Sequence, residues 1–232
     1  MEQNDNWQFL SVAMHQMCVS VNDIGSLIVM LNENEYHPNM TRDERRSILC
    51  LLNTQRWKLQ RQIVSMKDLA EYSMTDRLPR EDKVLVNQMC RELAGKQDVK
   101  VLFKSDMTDY YTITTNLDAL EKVLSILLSH AAVRALSRND DTRERLVSLS
   151  ISERAEDGVL TFVISDTGDP LPAGMAEGYF NLPAGGGSQN VNVSGSIENY
   201  NCRLLARLLG GFIYIDPSYK DGLRVVFSMA VL

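Results

Sequence analysis

The sequence contains no run of about 18 apolar residues, the length that a membrane-crossing helix needs. Its first residues, MEQNDNW, are polar and acidic, without the positive-then-apolar order of a secretory signal. Its four cysteines, Cys18, Cys50, Cys90 and Cys202, lie far apart with no Cys-x-x-Cys pair, which speaks against a zinc ribbon and a disulfide framework. Each reads instead as a small buried hydrophobe in a reduced compartment. An excess of basic residues is missing too. With 24 basic against 30 acidic residues the net charge is −6, which argues against general nucleic-acid binding. These absences describe a cytoplasmic chain with no direct membrane contact and a partner of another kind.

What is present is a packed-core composition, 44% hydrophobic and 23% charged over 232 residues, enough for two domains of ordinary size. The N-terminal part carries a heptad pattern. Leu10, Met14, Met17, Val21, Ile24, Ile28 and Leu31 alternate at gaps of four and three, the seam of a coiled-coil-like helix from about Trp7 to Asn32. His15 stands one step round from Met14 and should point to solvent. By itself a lone helical histidine is most often an ordinary surface or core residue.

The polar stretch from Asn32 to Asn39, with Pro38, breaks the pattern. Thr41 followed by Glu44 is a capping box that opens a second helix. Its stripe runs through Ile48, Leu52, Leu59, Met66 and Leu69, with Gln55 and Gln62 in register, to about Met74. Two helices of roughly 26 and 33 residues, about 40–50 Å long, make an antiparallel hairpin. A hairpin alone cannot bury an apolar stripe on each helix. The expectation is a homodimer through residues 7–74, two hairpins forming a four-helix bundle. The alternative is a hairpin packed on the rest of its own chain.

The stretch from Thr75 to Pro79 ends the pattern, and mixed α and β elements follow. Residues 82–94 read as a helix closed by Gly95, Val99 to Phe103 and Tyr110 to Thr114 as strands, and Asp118 to Leu136 as an apolar helix. Leu146 to Ser152 and Val159 to Ser165 form a hairpin turned at Glu156-Asp157-Gly158. A loop from Asp166 to Ser196 holds Gly185-Gly186-Gly187, which reads as flexible chain. A helix from Ile197 to Leu209 and strands from Phe212 to Asp216 and from Leu223 to Ala230 close the sequence. The expected fold is two domains. An all-α antiparallel helical hairpin occupies residues 1–76, and an α+β sandwich of one mixed sheet covered by helices occupies residues 77–232.

This order of pieces resembles the core of a sensor histidine kinase, with a dimerising hairpin that carries a phosphoacceptor histidine and an ATPase domain of the histidine kinase-like type. His15 and the segment to Ile24 sit where the family's phosphoacceptor segment would be. The helix Leu120 to Ala131 resembles the asparagine box, and Leu160 to Pro172 the first glycine box. Leu204 to Gly211, with the closing Gly222 to Phe227, is similar to the family's C-terminal helix and last hairpin. The resemblance implies His15 as phosphoacceptor and a nucleotide cleft at Asp166, Gly168 and His130. Asp166 would accept from the adenine amino group, ATP and Mg²⁺ would be the cofactors, and a response-regulator receiver domain the partner.

The departures shape the expectation. Gln16 replaces the acidic residue that usually follows the histidine, and a neutral amide cannot take up the imidazole proton. His130 stands where an asparagine would hold Mg²⁺, a hard cation that prefers oxygen, and Ile126 replaces that helix's other asparagine. Pro170 occupies the place of a second glycine. Of a glycine-rich turn before Leu204 only Gly195 survives, and Glu198 would repel a phosphate. Val19 stands where a Thr or Asn would orient water for phosphatase chemistry. The chain is thus expected to be a degenerate, two-component signalling protein that relays phosphoryl groups through His15 to or from a receiver domain. The alternatives are an ATP-dependent kinase with an atypical nucleotide site and a non-catalytic scaffold.

Overall fold

A computed structural model of the chain describes residues 14–15, 17–31, 41–138, 144–154, 158–172, 174–181 and 194–231. The expected start of the first helix at Trp7, the polar loop from Asn32, Gln16, the turn residues Glu156 and Asp157, and Gly185 to Gly187 lie outside the described residues. The chain forms two units. One holds residues up to Ala70 together with 194–197; the other holds Glu71–Asn181 and Glu198–Leu232.

In the first unit, helix α1 covers residues 14–15 and 17–31, and α2 covers Arg42–Ser73. The start of α2 is fixed by the capping box. The Thr41 N–H donates to Glu44 Oε2 at 2.8 Å and the Glu44 N–H to Thr41 Oγ1 at 3.3 Å, so two backbone donors without helical partners are satisfied reciprocally. These bonds hold the Glu44 carboxyl below its ordinary range, the Thr41 backbone N–H first among the causes. On α2 the expected stripe is the covered face, with Ile48, Leu52, Gln55, Leu59 and Met66 half-buried and Gln62 and Leu69 buried. It meets α1 where the fully buried Ser20 donates its hydroxyl to Gln62 Oε1 at 3.1 Å.

The heptad seam of α1 splits into two lines seven residues apart. Met17, Ile24 and Leu31 are half-buried, whereas Met14, Val21 and Ile28 stay exposed at 56%, 52% and 45%. One helix of the same chain covers only one side of a seam. The same geometry corrects the expectation of four buried cysteines: Cys90 and Cys202 are buried, but Cys18 on α1 and Cys50 on α2 are exposed.

The second unit is an α+β sandwich. Its elements are β1 (Asp82–Leu85), α3 (Val86–Gly95), β2 (Lys100–Ser105), β3 (Thr112–Thr115), α4 (Leu117–Leu136), β4 (Leu146–Arg154), β5 (Val159–Asp166), α5 (Met175–Gly178), α6 (Ser194–Leu208) from Glu198 on, β6 (Gly211–Ile215) and β7 (Arg224–Ala230). The main sheet has the order β2-β4-β5-β7-β6. Only β2 and β4 run parallel; the other neighbours are antiparallel. A second sheet pairs β1 with β3.

Two expectations need correction. Residues 82–85, read as the start of a helix, form β1, because Asp82 to Leu85 pair with Thr112 to Thr115 and Asp82 Oδ2 accepts from the Leu117 N–H at 3.0 Å. The segment after Asp166, read as loop to Ser196, contains the single turn α5 and the first residues of α6.

Burial alternates along β4, so Val147, Leu149 and Ile151 face inward, as do Leu160, Phe162 and Ile164 of β5 and Val225, Phe227 and Met229 of β7. Against them pack Leu120, Leu124 and Leu128 of α4 and Leu205 of α6 with Leu209, all fully buried. Asn116 caps α4 by accepting from the Ala119 N–H at 2.9 Å. Phe162 stacks on Phe227 with ring centroids 5.6 Å apart at the centre of this layer. Phe162→Ala is therefore expected to lower unfolding stability by about 3–5 kcal/mol, read from the urea midpoint at unchanged m-value.

Candidate functional site

The cleft of the second unit forms where β5 ends beside the last turns of α4. On a helix, residues at i, i+3, i+4 and i+7 share a face, and α4 presents Leu127, His130, Ala131 and Arg134 in that spacing. The first three line a cavity of about 10 Å³, with Ile164 and Asp166 of β5, Val225 of β7, and Tyr179 and Leu223 completing the wall. That volume is at the lower limit for one water molecule.

Asp166 is 2% exposed and each of its carboxylate oxygens has a donor. Oδ1 accepts from the Gly168 N–H at 2.8 Å and the Leu223 N–H at 3.3 Å; Oδ2 accepts from Arg134 Nε at 3.0 Å. The remainder of the Arg134 guanidinium donates to the Asp169 carbonyl. Burial pushes the Asp166 carboxyl above its ordinary range, and the Arg134 charge with the two backbone donors pulls it back. An ion pair this deep is stable only as a pair, since removing either partner leaves a buried charge uncompensated.

His130 is engaged at both ring nitrogens. Nε2 lies 2.7 Å from Glu198 Oε2 and Nδ1 lies 3.0 Å from Asn199 Oδ1. Asn199 also bonds the Tyr179 hydroxyl, which burial pushes above the usual phenol range. A continuous polar chain, Tyr179-Asn199-His130-Glu198, therefore runs beside the Arg134–Asp166 pair.

Two glycines make the cleft wall possible. A Cβ on Gly168 would lie 2.9 Å from the Arg134 carbonyl oxygen, and one on Gly222 would lie 2.1 Å from the Asp166 carbonyl oxygen. Both contacts are backbone against backbone, so neither position has room for a side chain.

Of the residues singled out in the sequence, Asp166, Gly168 and His130 come together in this cleft, and Glu198 joins them as the partner of His130. His15 belongs to the other unit, exposed on α1. Sequence reasoning missed Arg134, Tyr179 and Asn199. For Arg134 a signal existed, since it follows His130 by one helical turn. For Tyr179, in an irregular segment, there was none.

These residues do not fit a nucleotide with Mg²⁺. A base has no room in about 10 Å³, the Asp166 carboxylate already accepts from protein donors, and both His130 ring nitrogens are within hydrogen-bond distance of protein oxygens, so neither is open to a metal.

No protein-family model matches the sequence, and no curated protein matches it. Solved structures do match. The histidine kinase ThkA, in complex with the response regulator TrrA, aligns with a TM-score of 0.68 at 18% identity over 94% of this chain and 60% of that chain. The Acinetobacter baumannii histidine kinase AdeS aligns at 0.64 and 12% identity, over 94% of this chain and 98% of that one. Full-length ShkA in complex with AMPPNP aligns at 0.63 and 14% identity, over 97% of this chain and 46% of that one. The chain thus spans less than two thirds of the ShkA and ThkA chains. It has the fold of a histidine kinase core, a helical N-terminal part followed by a mixed α/β unit.

The close approach at Gly222 yields a direct test of the cleft wall. Gly222→Ala is expected to cost about 1–3 kcal/mol, as overpacking does, and to shift the amide resonances of Asp166 and Gly168 in an NMR spectrum.

Proposed function

We propose that this protein is a two-component signalling protein that relays phosphoryl groups between receiver domains through His15. Residues 1–76 would serve as the dimerisation and phosphotransfer hairpin, and 77–232 as a degenerate ATPase-type domain, in the cytoplasm. The observation that carries this reading is the placement of His15, exposed on α1 of a chain with a histidine kinase core fold. ThkA, a protein of that fold, is found with a response regulator.

In the proposed step an unprotonated ring nitrogen of His15 attacks the phosphorus of a receiver's aspartyl phosphate. The N–P bond forms as the P–O bond to the aspartate breaks, which frees the carboxylate. The receiver supplies its own Mg²⁺ and charges for the transferring group, so the helix needs only a reachable imidazole. The same step in reverse loads the next receiver.

His15→Gln is expected to abolish label uptake from a phosphorylated receiver, scored by phosphohistidine on a gel, with circular dichroism unchanged. Retained labelling in that variant would reject His15, and absence of transfer from every cognate receiver would favour the scaffold reading.

The homodimer is part of the proposal. Met14, Val21 and Ile28 form an apolar line that α2 of the same chain leaves open, and a second hairpin would cover it. The protein is expected to show twice the chain mass in light scattering. The double substitution Val21→Lys, Ile28→Lys is expected to give a monomer, because two ammonium groups cannot enter an apolar seam unpaired.

A further inference from the structure

We infer that the cleft of the α/β unit is liganded from within: the Arg134 guanidinium is the resident ligand of Asp166, and the unit keeps its closed form without taking up nucleotide.

Three observations carry this beyond a loss of motif residues. The first is completeness. Asp166 Oδ1 accepts two backbone N–H groups and Oδ2 accepts Arg134 Nε, and Arg134 reaches on to the Asp169 carbonyl, so donor and acceptor satisfy each other inside one unit. A charge-assisted bond of this kind is stronger than one from a neutral amino group. An incoming ligand that took the carboxylate would leave Arg134, whose side chain is 22% exposed, without its counter-charge.

The second is volume. A guest the size of benzene occupies a cavity of about 150 Å³, and the space beside Asp166 is about 10 Å³. Tyr179, Leu127 and Ile164 are among the side chains that line this space, so a base could enter only by displacing lining groups.

The third is charge. The other end of the cleft is closed by His130 between Glu198 and Asn199, and the Glu198 side chain is only 12% exposed there. A buried carboxylate repels a polyphosphate. Both ends of the cleft therefore carry protein groups that compete with a nucleotide, one by occupying the acceptor and one by its sign.

The test uses the full chain. In thermal unfolding, ATP with Mg²⁺, ADP and adenine at millimolar concentration are expected to leave the wild-type midpoint unchanged. Arg134→Ala is expected to lower the midpoint, and added ethylguanidine to raise it in the variant and not in the wild type. Saturable stabilisation of the wild type by any of the three nucleotide ligands would overturn the inference, as would equal midpoints for wild type and Arg134→Ala.

Should Arg134→Ala fail to fold, the Arg134 Nε–H resonance decides. It is expected to be protected from solvent exchange in the wild type, unmoved by ATP, and unprotected in Asp166→Asn. Displacement of that resonance by ATP would overturn the inference. Phosphoryl transfer at His15 is scored on a different residue with a different label, so the failure of either reading leaves the other standing.

Discussion

One carboxylate ties three separate parts of the α/β unit together. Asp166 ends β5, receives an N–H from the segment that starts β7, and is paired with an arginine on the last turn of α4. Its own backbone joins in, since the Asp166 N–H donates to the Leu223 carbonyl at 3.0 Å and Gly222 passes against the Asp166 carbonyl. A charge buried this deeply is tolerated only where it is paired and hydrogen-bonded. The glycines at 168 and 222 and the arginine at position 134 fit that requirement.

The same requirement explains why the cleft is polar and yet closed. Residues 130 and 134 lie one turn apart on α4 and each meets an acidic partner, Glu198 in one case and Asp166 in the other. The two pairs stand side by side, with Tyr179 and Asn199 bridging the space around them. A site that binds an anionic ligand presents unsatisfied donors and room. This one presents satisfied pairs and a void of about one water.

The helical unit obeys a different constraint. Its stripes are mostly apolar, and among the described residues a buried hydrogen bond from Ser20 to Gln62 joins the two helices. A single polar pair in an apolar seam sets register better than it adds stability. The exposed line of Met14, Val21 and Ile28 lies on the same helix as His15 but on a different face of α1.

Much of this could be read in the residues alone. The Thr41 capping box, the stripe from Ile48 to Leu69, the apolar helix after Asn116 and the β4–β5 hairpin depend on hydrogen bonds and periodicities between residues a few positions apart, and such patterns are written along the chain. So is the exposure of His15, which follows from its place beside a seam. What only the tertiary structure decided is which distant groups meet. Four residues at β1 carry too little periodicity to reveal a strand, and they become one only because Thr112–Thr115 lies beside them. Arg134 and Asp166 are 32 positions apart and His130 and Glu198 are 68 apart, so no local pattern joins them. Their pairing is a product of packing α4 and α6 on one sheet, where a buried carboxylate needs a hydrogen-bonding partner.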